Sequence, residues 1–277
     1  MAYRTKSAGF SLVEITMVIL AVSVMMVGTL YGLRVVHNAR IKSFIVQINL
    51  YQTAANNFRK QYGTWPGDLA NAQNVIPGCT AARQCVGGNG DQIVASRNNS
   101  YDCQMPSFSH NQQNFPCKPA AKKETDLSTV PSESIQFWRH LALSGMISDL
   151  RMRPSRFDFG DSMPKSRLVG GFHLIYEGNI NSRYLRGLKG HFFFLSRDAD
   201  ILHANMHAYG NAVMSPQTAG VIDKQMDDGF PNTGLLRSIG GSGDGCGDVE
   251  NAHNEYANND GQTTDARQCT IFYKFDS

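Results

Sequence analysis

The chain has 277 residues, 42% of them hydrophobic, and 26 Lys and Arg against 23 Asp and Glu, a formal charge of +3. Four of the bases and one of the acids precede Ile41, so the remainder balances at 22 against 22, which excludes bulk charge as a means of holding nucleic acid or an acidic surface. Some 240 residues follow the N-terminal apolar segment, enough for one large or two small domains.

The chain begins MAYRTKSAGFSLVEITMVILAVSVMMVGTL, with Arg4 and Lys6 ahead of an apolar run. From Phe10 to Leu33 there are 24 residues without Pro, and Glu14 is their only charge. As a helix this run is about 36 Å long, enough to cross a hydrocarbon core of about 30 Å. It is longer than the apolar core of a secretory signal peptide, which lasts about 7 to 15 residues. A carboxylate in such a span costs a few kcal/mol and calls for a partner. Arg4 and Lys6 stand more than two helical turns away. Cleavage between Gly9 and Phe10 supplies one: the new α-amino group lies about 6 Å along the helix from Glu14, and the terminus of one subunit can neutralise Glu14 of a neighbour.

The basic leader, Gly9, then Phe10, Ser11, Leu12, Val13 and Glu14, then about twenty apolar residues, together resemble the type IV pilin and type II secretion pseudopilin superfamily. The resemblance implies a leader of residues 1–9 removed by a membrane prepilin peptidase, N-methylation at Phe10, and Glu14 guiding docking into a helical filament. It also implies a single-pass protein of the bacterial inner membrane with its C-terminal domain exported, surrounded by lipid before assembly. The implied partners are the peptidase, an inner-membrane assembly platform and other pilin or pseudopilin subunits. The destination is a pilus at the cell surface or a periplasmic pseudopilus. Two features depart from the pattern. No Pro occurs before Pro66, leaving Gly28 and Gly32 as the weaker points of the helix, and Arg34, Arg40 and Lys42 follow the span, against positive-inside counting for a cytoplasmic leader.

After the span, residues 10–33, a continuation over 34–65 is expected. Ile41, Phe44, Ile48, Tyr51, Ala55, Phe58 and Tyr62 recur at steps of three and four, one stripe of an amphipathic helix. One helix from Phe10 to about Tyr62 follows, roughly 80 Å long, with Arg34, Arg40, Arg59 and Lys60 on its solvated side. Gly63 is the C-cap candidate and Pro66 blocks continuation. The exported domain is then 66–277. Within it, 70–127 lacks core formers, having no Leu from Ala70 to Asp126, and holds four of the six cysteines. It is expected to be a loop-rich, disulfide-stapled surface insert leaving through KPAAKKETD, 118–126.

PSESIQFWRHLALSG predicts a second helix with Ser132 as N-cap, Gly145 at its end and Trp138 in its core stripe. LVGGFHLIYEG, GHFFFLSR and CTIFYKF predict strands, and the consecutive Phe192, Phe193 and Phe194 require cover on both faces. SPQTAGVIDKQMDDGFPNTG predicts a third helix with Ser215 as N-cap, Pro216 at N1 and Gly229 as C-cap. These elements give an α+β, pilin-like fold in which the long helix packs on an antiparallel sheet. The WPGD, FWRHL and ID-x-x-x-DDG-x-P-x-x-G stretches are similar to those of a subset of large prepilin-like proteins. The Gly-rich 240–270 is similar to the disulfide-bounded C-terminal loop of pilins.

All six cysteines follow the span, which suits an oxidising compartment. Fifteen pairings are possible; the nearest-neighbour set is Cys79 with Cys85, Cys103 with Cys117, and Cys246 with Cys269. Zinc is the rival use of cysteine, but no knuckle spacing is present. His203 and His207 share a helix face at i,i+4, with Ala204 where a zincin has Glu. Asp223, Asp227 and Asp228 gather near a helix end, where acids oppose the dipole, so something must hold them. Calcium is a candidate there, or at Asp244, Asp248, Asp260 and Asp265, since type II pseudopilins bind it in a C-terminal loop. No EF-hand frame is present, and turn-forming Asp-Gly is the alternative. With no G-x-S-x-G or P-loop, and GSGDGCG failing as G-x-G-x-x-G, no enzymatic activity and no cofactor are expected. The function expected is that of a structural filament subunit. The alternatives are a secretion pseudopilin, a minor tip pilin with an adhesin or DNA-binding role in 70–127, or a membrane-anchored binding protein that does not polymerise.

Overall fold

A computed structural model describes residues 9, 11–94, 133–153, 158–178, 185, 187–199, 212–240, 246, 255–256 and 269–276. The chain divides into two units, Met1–Ser43 and Phe44–Ser277. Helix α1, Leu12–Tyr62, contributes to both and starts two residues later than expected.

In the first unit α1 is apolar and exposed, with Leu12, Val13, Ile15, Met25, Leu30 and their neighbours all facing outward. This is the one helix among the described residues that is long and apolar enough to cross a membrane.

In the second unit the stripe on α1 does what its period predicts. Phe44, Ile48, Tyr51, Ala55 and Phe58 are buried, whereas Tyr62 is only half-buried. Gly63 ends the helix at φ +80°, its N–H donating to the Arg59 carbonyl at 2.8 Å. The four-stranded antiparallel sheet has the order β1-β2-β4-β3, from β1 (Gly171–Glu177), β2 (Gly190–Ser196), β3 (Leu236–Ile239) and β4 (Thr270–Lys274). Phe172 and Phe193 face α1: Phe44 stacks on Phe172 at 5.7 Å, and Tyr51 meets Phe172 edge-on at 5.3 Å. Phe192, Phe194, Ile239, Phe272 and Leu185 form a second cluster on the opposite face. Every residue of β2 is therefore buried, as the triple Phe requires.

Helix α2 is a single turn, Ala72–Val75, followed by a 3-10 turn at Ala81–Arg83. Helix α3, Glu133–Leu143, buries Trp138 against Phe193 at 5.6 Å and ends with Gly145 at φ +74°. Its expected N-cap, Ser132, lies outside the described residues. Helix α4, Pro216–Met226, begins as predicted: the Ser215 hydroxyl accepts from the Thr218 N–H at 3.3 Å, and Pro216 is at N1. Its end differs. Asp227, not Gly229, is the C-cap, at φ −146° and ψ −126°, because the Asp227 carboxylate turns to the N–H of Leu236 at 2.9 Å. Strand β3 was not expected at all.

Over its described part the insert, residues 70–94, is loop-rich and mostly exposed, and Ala72, Ile76, Cys79, Cys85 and Val94 are buried residues that anchor it to the second unit. The rest of the insert, with Cys103, Cys117 and the 118–126 exit, lies outside the described residues. Disulfides join Cys79 to Cys85 and Cys246 to Cys269, two of the three nearest-neighbour pairs.

Candidate functional site

At the N-terminus Gly9 is exposed, and a Cβ built on it meets nothing within 4 Å. Phe10 lies outside the described residues. The Ser11 carbonyl opens α1 by accepting from the N–H groups of Glu14 at 3.0 Å and Ile15 at 3.2 Å. Glu14 thus sits in the first helical turn, where the positive end of the helix dipole favours a carboxylate. Its carboxylate is exposed among Leu12, Val13, Ile15 and Val18, and among the described residues it has no ion-pair partner. A lone carboxylate on an apolar helix surface is stable in water and costly in lipid until a cation meets it.

The acidic stretch after α4 is held by its own loop. Asp223, Asp227 and Asp228 offer oxygens within 4.8 Å of one another. Asp223 accepts from the Gly229 N–H at 3.1 Å and from the Tyr256 hydroxyl at 2.7 Å. Asp227 accepts from the N–H groups of Leu235 and Leu236, and Asp228 from the Phe230 N–H at 2.9 Å and the Thr233 hydroxyl. Backbone N–H and hydroxyl donors thus reach all three carboxylates. Tyr256 also lays its ring over Gly220, where a Cβ would come within 3.0 Å of it, so Asp223 ties the C-terminal loop to α4. Burial pushes the Asp223 carboxyl up to about 6, with Asp228 and Asp227 adding to the rise. Asp244, Asp248, Asp260, Asp265, His203 and His207 lie outside the described residues.

A third constellation was not assigned a role by sequence reasoning, although its WPGD and FWRHL stretches stood out. Asp68 is fully buried, and its carboxylate accepts from the Gly90 N–H at 2.7 Å, Asp91 N–H at 3.0 Å, Gln92 N–H at 2.9 Å and Thr64 hydroxyl at 2.6 Å. Beside it, the Gly67 N–H donates to His140 Nδ1 at 2.8 Å, so His140 carries its proton on Nε2 and donates it to the Val86 carbonyl at 2.9 Å. Arg139 donates to the backbone and side-chain oxygens of Gln84, and Gln136 bonds Gln84 and Val86. Successive polar residues of α3 thus clamp the loop closed by Cys79 and Cys85. A His140 ring nitrogen lies within 4.8 Å of both sulfurs, but these are joined to each other and both ring nitrogens are engaged, which makes the trio a clip rather than a metal centre.

No family model matches this chain, and neither does any curated protein or solved structure. The functional reading therefore stands on the residues themselves.

His140 and Asp223 pull stability in opposite directions below neutral pH. Burial lowers His140 from 6.5 to about 4, so the unfolded chain takes up the proton first. Its contribution is full above about 6.5 and falls as pH drops, by about 3 kcal/mol near pH 4. Asp223 is raised from 3.8, so its contribution is full below that value and is lost as pH rises towards 6. The expected result is a shallow wild-type dependence between about pH 4 and 6.5, with stability rising steeply with pH in Asp223→Asn and falling with pH in His140→Gln. Denaturant unfolding of the detergent-solubilised protein across that range checks this; parallel curves for all three proteins would contradict both assignments.

Proposed function

We propose that this chain is a structural subunit of a type IV pilus-like filament, made as an inner-membrane prepilin, cleaved after Gly9 and N-methylated at Phe10. The observation that carries the proposal is Glu14: the single charge of the apolar run up to Leu33, in the first turn of the exposed α1, five positions after a glycine that ends a basic leader. A group so costly in lipid is retained where a neighbouring subunit neutralises it, and the freed amine of Phe10 is the cation at the right level. The span holds the subunit in the membrane before assembly, and the same apolar surface packs in the filament afterwards. The second unit offers held loops and a closed aromatic core among its described residues, which suits a structural rather than a catalytic role.

Mass spectrometry of the N-terminal peptide, from sheared surface filaments and from washed membranes in parallel, tests this. A peptide beginning at methylated Phe10 in the sheared fraction is expected. Processed peptide confined to the membrane fraction assigns the chain to a periplasmic pseudopilus instead. Intact Met1 in both fractions means that no peptidase reads this leader, and the filament proposal falls.

A further inference from the structure

Arg34, His37, Arg40 and Lys42 follow the apolar run of α1, and all four are exposed. No Asp or Glu occurs between Glu14 and Asp68, so none has an acid at i,i+3 or i,i+4 on the helix. Among the described residues none of the four enters an ion pair. Spaced 100° per residue, they spread over about 200° of the helix circumference. A single protein partner lying along the helix is matched by a stripe; a charge distribution that covers more than half of the circumference over a short rise matches a plane through which the helix passes. Along the axis the four cover about 12 Å, beginning one residue after the apolar run ends. That places Arg34 and His37 at headgroup level, with Arg40 and Lys42 within reach through their long side chains and within about one Debye length.

We infer that this basic collar binds anionic phospholipid headgroups of the leaflet at which α1 leaves the membrane, an assignment that rests on the membrane span proposed above. A second copy of the helix is the less suitable partner. Packed in parallel, it sets no carboxylate against the collar for any stagger up to about 20 residues, roughly 30 Å, and at small staggers it sets like charges together. Lipid phosphate is the anion present all round the helix at that level.

The test uses the full chain reconstituted in vesicles of phosphatidylcholine alone and of phosphatidylcholine with phosphatidylglycerol. Flotation and resistance to carbonate extraction in the neutral vesicles report the span. Spin-labelled tracers of the two lipids report which one is motionally restricted at the protein surface. Phosphatidylglycerol is expected to be preferred on the order of tenfold at low salt, with the preference shrinking at high salt. The variant carrying Arg34→Gln, Arg40→Gln and Lys42→Gln is expected to float like wild type and to lose the preference. Equal restriction of both lipids by wild type, or an unchanged preference in the variant, overturns the collar. Salt-sensitive zero-length cross-linking of Lys42 to a carboxylate of another copy, without lipid preference, overturns it in favour of a protein partner. Failure to float in neutral vesicles defeats the span itself, a separate outcome.

Discussion

Glu14→Ala is expected to leave the protein in the membrane and to lower its incorporation into sheared filaments by about tenfold or more. The two halves of that result come from one energy. Within lipid an unpaired carboxylate costs a few kcal/mol, so its removal makes the inserted monomer more stable, if anything. In the proposed filament the same group would be neutralised by a neighbour's Phe10 amine, and its removal would leave that amine unpaired in an apolar core. Each 1.4 kcal/mol lost from that contact is about a factor of ten in the subunit equilibrium. Glu14→Gln separates charge from shape: it keeps a hydrogen-bond acceptor of the same size, so it should fall between wild type and Ala. The fraction of each variant in sheared filaments, normalised to its amount in membranes, is the quantity to measure. Wild-type incorporation of Glu14→Ala would remove the proposed role of this residue while leaving the span untouched.

What sequence could and could not announce divides by range. Periodic features were legible because their signal is local. The stripe from Phe44 to Phe58 repeats with the helical period and is buried, and Ser215-Pro216 starts α4 with its own hydroxyl. Three consecutive Phe residues could be satisfied only by a strand covered on both faces, and β2 is one. Strand β3 gave no such signal. Leu-Arg-Ser-Ile has four residues and two polar side chains, and it becomes a strand only because β4 pairs with it from more than thirty positions away. Gly229 misled for a related reason: helix-stop rules favour glycine, but the carboxylate of Asp227 ends α4 first by reaching forward to the backbone at 235 and 236. Asp68 is the plainest case. Its three backbone donors lie 22 to 24 residues downstream in a glycine-rich, apparently featureless stretch, so nothing near it in sequence reveals that a buried carboxylate organises that loop. Loops of this kind are specified by the acceptor that gathers their N–H groups, a relationship without a period.

The same nest predicts the largest loss of stability in the second unit. Gly67→Ala is expected to cost about 3 kcal/mol or more, whereas Gly63→Ala, four residues earlier, should cost only about 1 to 2. Both glycines have positive φ, +88° and +80°, so backbone strain is common to the two substitutions. Space separates them. A Cβ at Gly63 meets nothing within 4 Å, but one at Gly67 would stand 2.4 Å from the Glu133 carbonyl oxygen and 2.9 Å from the Phe137 nitrogen. Both obstacles are backbone of α3, which cannot turn aside as a side chain can. Relief requires α3 to move off the WPGD loop, which stretches the Gly67 to His140 hydrogen bond and the Glu133 contact to the Asn89 N–H. Asp68→Ala attacks the same junction from the other side. It strips four donors of their acceptor inside a buried site, each worth about 1 to 3 kcal/mol though not additively, for a loss of about 3 to 5. Against a total stability of roughly 5 to 15 kcal/mol, either change brings the second unit close to unfolding. Denaturant midpoints of the solubilised protein rank the three variants. If Gly67→Ala proves no worse than Gly63→Ala, then α3 does not press on this loop, and the clamp built from Asp68, His140 and the Cys79–Cys85 loop is not what holds these segments together.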